Sequence, residues 1–171
     1  MHPPDRSKKG SIDKDIIPLI STINSLSNYK TTSSCSGRIV ILDSLKNKKN
    51  TSNWLYKTHT KANPKQIYQL QRKKQVWLLV EPLILHIKCR DKESTKQMLH
   101  SVNQCGLKRS GIISLTNWIL QAESTEKMHV PLYQNPVSYV NMVTGIANEK
   151  LTQTKTKLKR LEESIIRDFL L

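Results

Sequence analysis

Apolar positions spaced three and four residues apart predict helices near both ends of the chain. Ile12, Ile16, Ile20 and Ile23 fall on one helical face, and Pro18 places a kink or the helix start nearby. A longer series follows Pro136 and consists of Val140, Val143, Ala147, Leu151, Leu158, Leu161 and Ile165. This series predicts a long C-terminal helix that docks on its own domain, with a dimeric coiled coil as the alternative.

Runs of β-branched, aliphatic and aromatic residues predict the strands. Residues 38–43 and 53–59 form two such runs, which predict a pair of strands separated by a polar stretch. Residues 76–89 form the most apolar segment, and Pro82 within it indicates two strands or one bent strand. Further strands are predicted at about 110–122 and 128–133.

Polar patterns between these runs complete the predicted fold. Asp91 is placed to cap a helix that Gly106 ends, whereas the basic residues 61–74 suit either a surface helix or a mobile loop. The sum is an α+β fold in which helices pack on a mixed or antiparallel sheet. We expect one domain over 1–171, with 1–10 as a loose basic arm.

The charge of the chain points to a polyanionic partner. The sequence contains 28 Lys and Arg against 13 Asp and Glu, a formal net charge of +15 over 171 residues. Nucleic acid is favoured over a membrane, because no segment approaches the ~20 apolar residues of a spanning helix. The polar start lacks the apolar core of a signal peptide, so we expect a soluble, cytoplasmic protein. We also expect the protein to be a monomer.

Cysteine and glycine usage excludes several common sites. Cys35, Cys89 and Cys105 are odd in number and contain no C-x-x-C pair, which argues against a zinc ribbon, and no metal site is predicted. The five glycines cannot form the G-x-G-x-x-G turn of a dinucleotide fold. Gly106 and Gly111 have the outer spacing of a phosphate-binding loop, but isoleucines stand where that loop needs Lys and Ser or Thr.

Two similar segments carry the candidate ligand-binding chemistry. Thr31-Thr-Ser-Ser-Cys-Ser-Gly-Arg38 has hydroxyl donors, a flexible glycine and a guanidinium, which suit an anion or a polar ligand if this segment is a loop. Gly106-Leu-Lys-Arg-Ser-Gly-Ile112 repeats the Ser-Gly pair before an apolar strand. Helix, loop and two strands thus occur twice, which indicates an internal α-β-β duplication.

Several polar residues within the apolar runs are candidates for proton transfer. Glu81 adjoins Pro82 between two strand patterns, His86 alternates with aliphatic neighbours, and His59 ends a predicted strand. A hydrolase that uses Cys35 or Ser36 with one of these histidines is an alternative that spacing alone leaves open.

Seven ordered motifs give the chain a resemblance to a known family. They are Lys9-Gly-Ser-Ile-Asp13, Tyr29-Lys-Thr-Thr-Ser-Ser-Cys-Ser-Gly-Arg-Ile39, Trp54-Leu with Thr58-His59, Glu81-Pro82 with Leu85-His86, Lys108-Arg-Ser-Gly-Ile112, Ser124-Thr125 with Val130-Pro-Leu132, and Ala147-Asn148 with Lys150. In this order they resemble the tRNA wybutosine-synthesizing methyltransferase family over nearly the full chain. Glu126 departs from the pattern, because family members often have a histidine there.

The resemblance implies an S-adenosylmethionine-dependent tRNA methyltransferase with a fold other than the Rossmann type. Its implied substrate is N4 of the 7-(3-amino-3-carboxypropyl)-4-demethylwyosine base at position 37 of tRNA(Phe). We expect the cofactor or substrate contacts to be Ser33, Ser34, Ser36, Gly37, Arg38, Lys108, Arg109, Ser110 and Gly111. The base or orienting candidates are Asp13, His59, Glu81 and His86.

Two further expectations concern RNA. The candidate phosphate contacts are Lys57, Lys73, Lys74, Lys108 and Arg109. A non-catalytic basic RNA-binding module, in which the same segments grip phosphates, is the alternative function. Binding of a methyl donor separates the two classes.

Overall fold

The computed structural model describes residues 12–43 and 53–171, so the basic arm at 1–10 and the polar stretch 44–52 lie outside it. A 3-10 turn, Lys14–Ile16, precedes the first helix. The elements are α1 (Ile17–Ser25), β1 (Tyr29–Leu42), β2 (Trp54–Thr58), α2 (Pro64–Lys73), β3 (Val76–Cys89), α3 (Lys92–Gln104), β4 (Gly111–Ser114), β5 (Ile119–Glu123), β6 (Met128–Leu132) and α4 (Val137–Phe169). None of the helices described here has the length and apolarity that a membrane crossing needs.

The strands form a six-stranded sheet whose order is β2-β1-β3-β5-β4, with β6 paired to β3. The pairings made by β2, β4, β5 and β6 are all antiparallel. A dinucleotide-binding fold has a mostly parallel sheet. The predicted α+β class and the absence of a Rossmann arrangement are therefore confirmed.

The described residues divide into two compact units. The first unit contains 12–36, Pro82–Thr125 and Thr154–Leu171, and the second contains the described residues of Gly37–Glu81 together with Glu126–Gln153. Because β1, β3 and α4 each contribute residues to both units, neither unit is continuous in sequence.

The core of the first unit joins α1, α3 and the end of α4 to one side of the strands. Pro18 lies in the first turn of α1, so the helix begins beside the proline instead of being broken by it. On β3, Leu85 and Ile87 are fully buried in this core, whereas His86 between them is half-buried. This alternation confirms that His86 lies on the opposite side of the strand from its neighbours.

Helix α3 begins and ends as its sequence predicts. The Asp91 carboxylate accepts a hydrogen bond from the Ser94 N–H at 2.8 Å, which satisfies an otherwise unpaired donor of the first turn. This contact, followed by that from Arg90, lowers the pKa of Asp91 to about 2. Gly106 has φ +87° just after the helix end, a conformation that glycine adopts readily.

The core of the second unit lies between its strands, α2 and the first half of α4. Ile39 and Ile41 of β1 pack with Ile67 of α2 and with Val140 and Ala147 of α4. The apolar positions in the second half of α4, Leu158, Leu161 and Ile165, are buried in the first unit's core. The helix thus docks on its own chain, as predicted.

Two of the predicted segments need correction or refinement. Thr31–Arg38 is not a loop but part of β1, and within this segment Gly37 has a positive φ of 85°. Threonines suit strands, and the Thr31 N–H donates to the Asn24 side chain at 2.8 Å. The predicted strand at 110–122 is two strands, β4 and β5, separated by a turn in which Trp118 has φ 48°.

The structure decides between the alternatives that the sequence left open for residues 76–89 and for residues 61–74. Val76–Cys89 is one strand despite Pro82, and Pro64–Lys73 is a helix whose Asn63 side chain accepts from the Lys65 N–H at 3.0 Å. Both helix-strand-strand runs, α1-β1-β2 and α3-β4-β5, end in an antiparallel strand pair. The duplication itself stays a prediction, because the first Ser-Gly lies within a strand and the second ends a turn.

Candidate active site

Ser36 is held by a network of charged side chains within the first unit. Its N–H donates to Asp13 Oδ2 at 3.0 Å, and its Oγ accepts from Lys155 Nζ at 2.8 Å. Lys155 also pairs with Asp15 at 2.8 Å. These contacts place Asp13 beside the serine segment, and its role as a base or orienting residue stays a prediction.

The same network argues against a serine nucleophile. Ser36 is fully buried, and its oxygen accepts a hydrogen bond from the Lys155 ammonium group, which cannot act as a base toward it. This geometry therefore argues against Ser36 as the nucleophile of the hydrolase alternative.

Sequence reasoning missed Lys155, although the sequence contained a signal for it. Lys155 follows Leu151 by four positions and precedes Leu158 by three, so it lies in the apolar stripe of α4. A cation in such a stripe is expensive to bury unless it has partners. Its side chain is only 21% exposed, and its partners are Ser36 and Asp15.

His86 begins a polar row across the first unit's strands. Its Nε2 lies 2.9 Å from Gln121 Oε1, directly opposite on β5. The Gln121 amide nitrogen in turn donates to Glu123 Oε2 at 2.8 Å. Since Gln121 presents its oxygen to the ring, His86 Nε2 is the donor, and the neutral ring carries its lone pair on Nδ1.

The second Ser-Gly segment meets the other end of this row. Arg109 Nε lies 3.6 Å from Glu123 Oε1, and Lys108 is exposed. Ser110 accepts from the Glu123 N–H at 3.0 Å and donates to the Leu107 carbonyl at 2.6 Å. Ser110 therefore stabilises its own turn, and its predicted ligand contact stays a prediction.

The strand order sets the distance between the two serine segments. Ser33 and Ser34 are half-buried on β1, next to Thr32, whose Oγ lies 3.5 Å from the His86 carbonyl. Gly111 on β4 pairs with Gln121 on β5. Because β3 and β5 lie between β1 and β4, the segments are at least about 14 Å apart, too far for direct contact. A ligand that touches both must span this polar row.

Arg38 is the centre of a second cluster, in the second unit. Its Nε donates to Glu81, so these two predicted site residues form an ion pair. The guanidinium carbon lies 4.4 Å from the centroid of the Trp54 ring, and Lys57 Nζ lies 5.3 Å from it. Trp54 is nevertheless 48% exposed. An exposed ring beside a planar guanidinium is a surface on which a nucleobase can stack.

His59 has a defined tautomer beside this cluster. Its Nδ1 lies 3.1 Å from the carbonyl oxygen of Gly37, which can only accept, so Nδ1 carries the proton in the neutral ring. The lone pair is then on Nε2. Gly37, whose carbonyl His59 contacts, has φ 85°. Glycine adopts this angle more readily than other residues, which explains why a glycine precedes Arg38.

The candidate phosphate contacts differ in whether a carboxylate already lies next to their positive charge. Lys74 lies 3.7 Å from Asp43, and Arg109 pairs with Glu123. Lys57 and Lys108 are exposed. The side chain of Lys73 lies outside the described part of the structure.

Glu126, which departs from the motif pattern, is buried with 6% of its surface exposed. It follows Ser124, which is fully buried and whose Oγ accepts from the Leu83 N–H at 3.2 Å. The position thus belongs to the interior of the protein and not to its charged surface.

Comparisons with known proteins agree with these motifs. The family model described as Methyltransferase TYW3 matches residues 1–167. A relative in Pyrococcus horikoshii, named tRNA(Phe) 7-((3-amino-3-carboxypropyl)-4-demethylwyosine(37)-N(4))-methyltransferase 1, is 38% identical over 169 residues, which cover 92% of this chain and 86% of the relative. The enzyme of the same name, without a number, in Archaeoglobus fulgidus is 35% identical over 162 residues, which cover 90% and 83%.

A solved structure supports the same assignment. The PH1069 protein from Pyrococcus horikoshii matches with a TM-score of 0.83 at 36% identity, over 92% of this chain and 87% of that one. The resemblance inferred from the motifs is thereby confirmed. This chain belongs to the methyltransferase TYW3 family.

Proposed function

We propose that this protein is an S-adenosylmethionine-dependent tRNA methyltransferase that modifies N4 of the 7-(3-amino-3-carboxypropyl)-4-demethylwyosine base at position 37 of tRNA(Phe). The observation that carries the proposal is the match to the family over residues 1–167, together with relatives whose names state this reaction. The +15 charge supports an RNA substrate. The cytoplasmic location and the monomeric state stay predictions.

The side chains present fit a methyl donor that has both a carboxylate and an ammonium group. In the second unit, Arg38 offers donors to a carboxylate, and Glu81 offers acceptors to an ammonium. Separately, within the first unit, Ser33 and Ser34 offer half-buried hydroxyls to a polar ligand. S-adenosylmethionine supplies the electrophilic methyl group, so the chain itself must bind, align and accept a proton.

Two arrangements support these tasks. Arg38, fixed by Glu81 and lying over Trp54, forms a rigid cationic platform for a flat ligand. His59 donates its Nδ1 proton to a backbone carbonyl, so its Nε2 is the atom at which it can take a proton. His86 is held in the opposite tautomer and would accept at Nδ1. Both remain candidates for the base, with Glu81 and Asp13.

The deciding experiment is methylation of defined tRNAs. The purified protein and S-adenosylmethionine are incubated with tRNA(Phe) that carries the precursor base, and with tRNA(Phe) that has guanosine at position 37. Mass spectrometry of the digested nucleosides should find one added methyl group on the precursor tRNA and none on the guanosine form. Methylation of the guanosine form would contradict the proposed substrate.

Binding of the methyl donor separates this proposal from a non-catalytic RNA-binding module. A ligand that binds only the native state stabilises it by about 2.7 kcal/mol at a hundredfold excess over its dissociation constant. For a chain of this length, that raises the melting temperature by about 5–10 °C. A melting curve that millimolar S-adenosylmethionine and S-adenosylhomocysteine leave unchanged, with RNA binding retained, would favour the module.

A further inference from the structure

A cleft of about 540 Å³ opens in the second unit between α2 and the start of α4. Tyr68 and Lys65 line it from α2, Val137 and Asn141 line it from α4, and Asn63 lies at the α2 end. Its volume is within the range of about 300–1,000 Å³ that is typical of small-ligand sites. None of these residues belongs to the family motifs or to the candidate active site.

Two amide clamps hold the walls of this cleft together. Near the start of α2, the Asn148 side chain accepts from the Ala62 N–H at 2.7 Å and donates to its carbonyl at 3.1 Å. At the other end, Gln71 accepts from the Asn135 N–H at 2.7 Å and donates to the Asn135 carbonyl at 3.1 Å. Gln71 is fully buried. The cleft is therefore preformed, which reduces the ordering that a ligand must cause.

The two walls differ sharply in charge. Residues 61–74 contain Lys61, Lys65, Arg72, Lys73 and Lys74 and no acidic residue. By contrast, residues 130–148, which include the α4 wall, contain no Asp, Glu, Lys or Arg. A ligand with a flat, uncharged part and an anionic part fits this asymmetry.

The cationic wall continues past the cleft. A second hollow of about 260 Å³ shares Tyr68 and is lined by Arg72, Gln134 and Asn135. The Arg72 guanidinium carbon lies 5.9 Å from the Tyr68 ring centroid. Tyr68 thus stands between the cleft, whose α4 wall is uncharged, and a hollow that contains Arg72. A base in the cleft would therefore have its phosphate near a cation, as the order of base and phosphate in a nucleotide requires.

We propose that this cleft binds one unpaired nucleotide of the RNA substrate. The base stacks on Tyr68 and meets the amide of Asn141, and the adjoining phosphates lie on Lys65 and Arg72. Single-stranded RNA is favoured over duplex, because bases can leave a loop to stack on aromatic side chains, whereas paired bases are already stacked. The inference rests on the proposed function, since that function makes RNA the ligand.

The test uses the full-length chain and a fluorescent single-stranded RNA of about 12 nucleotides. Tyr68→Ala should weaken binding, measured by fluorescence anisotropy, by about 5- to 150-fold, and Tyr68→Phe should bind like the wild type. The matched control is Tyr133→Ala, which removes a tyrosine that is 55% exposed and does not line the cleft. Equal losses in Tyr68→Ala and Tyr133→Ala would overturn the proposal.

A second variant guards against an effect on folding. Asn141→Trp fills the cleft from an exposed helix position and leaves Tyr68 in place. It should lose as much RNA affinity as Tyr68→Ala while its melting temperature stays at the wild-type value. Wild-type affinity in Asn141→Trp would overturn the proposal.

The outcomes separate this inference from the proposed function. If the wild type methylates its tRNA and the cleft variants bind RNA normally, only the cleft assignment fails. If the wild type binds no RNA, the proposed function fails and the cleft assignment fails with it.

Ultraviolet cross-linking of a 4-thiouridine oligonucleotide, mapped by mass spectrometry, should mark the peptide that contains Tyr68.

Discussion

At the scale of single residues, Arg38 combines two contacts that lysine cannot reproduce. Its planar guanidinium lies over Trp54 while its Nε donates to Glu81. An ammonium group keeps the charge but not the fork or the flat surface. We therefore predict that Arg38→Lys and Arg38→Ala both lower kcat/KM for methyl transfer, by about 10- to 150-fold, as expected for a lost charge-assisted hydrogen bond.

Lys57→Met is the matched control for this prediction, because it removes the other cation beside Trp54. Its kcat at saturating tRNA should stay within a few-fold of the wild type, because the loss of a phosphate contact raises KM and leaves kcat unchanged. Full activity in Arg38→Lys would leave only a requirement for charge. Full activity in Arg38→Ala would mean that the contacts of Arg38 with Glu81 and Trp54 are structural and have no function in the reaction.

Lys155 shows how a residue distant in sequence can fix the candidate site. Lys155→Met keeps most of the apolar stem but leaves the buried Ser36 oxygen without its donor. We predict a loss of about 1–3 kcal/mol in the free energy of unfolding, measured by urea denaturation. Lys159→Met, at an exposed position on the same helix, should change stability by less than about 0.5 kcal/mol. Equal stability of the two variants would contradict the role of Lys155.

At the scale of elements, local signals decided which predictions succeeded. Helix α3 was predictable because its cap, its apolar face and its terminal glycine lie within one short segment. The serine segment was not, because its polar residues also suit a loop, and its strand conformation depends on neighbouring strands distant in sequence.

The candidate site divides in the same way. Arg38, Glu81, His59 and His86 stand out in the sequence as polar residues in or next to apolar runs. Their partners do not stand out. Gln121 contacts His86 only because β3 and β5 pair in that register, and no short sequence pattern gives a register between strands so far apart.

The cap of α3 makes a prediction for acid stability. The pKa of Asp91 is about 2 in the folded protein against an ordinary value of 3.8, because the ionised carboxylate accepts from the Ser94 N–H. Because this pKa is lower in the folded than in the unfolded protein, the ionised carboxylate stabilises the native state at pH values above its ordinary pKa. This contribution is lost as the pH falls from about 4 to about 2. Asp91→Asn keeps a capping oxygen without a titrating group, so its melting temperature should fall less steeply over this range.

Asp91→Ala provides the comparison, because it removes the cap at every pH. It should lower the melting temperature by about 2–6 °C at pH 7. Asp43 and Asp168 also have lowered pKa values, from backbone and side-chain hydrogen bonds, and they keep part of the acid sensitivity in all variants. An Asp91→Asn curve parallel to that of the wild type between pH 4 and 2 would contradict the role of Asp91.

At the scale of the whole molecule, the excess of positive charge should make RNA binding depend on salt. Each phosphate that a lysine or arginine neutralises releases counterions and adds about 0.7–0.9 to the slope of log affinity against log salt. We compare two double variants, Lys57→Gln with Lys74→Gln and Lys108→Gln with Arg109→Gln. Each double variant should make the negative slope for tRNA(Phe) shallower, by up to about 1.8 if both of its substituted residues contact phosphates.

The structure further predicts which member of each pair matters more. Lys74 and Arg109 already face Asp43 and Glu123, so a phosphate must compete with a carboxylate for each of them. Lys57→Gln and Lys108→Gln should therefore account for most of the change in slope. Lys96→Gln is the control, because Lys96 is exposed and paired with Glu93 at 3.0 Å on α3. If removal of all five candidate cations, including Lys73, leaves the slope at its wild-type value, the phosphates bind to another basic surface.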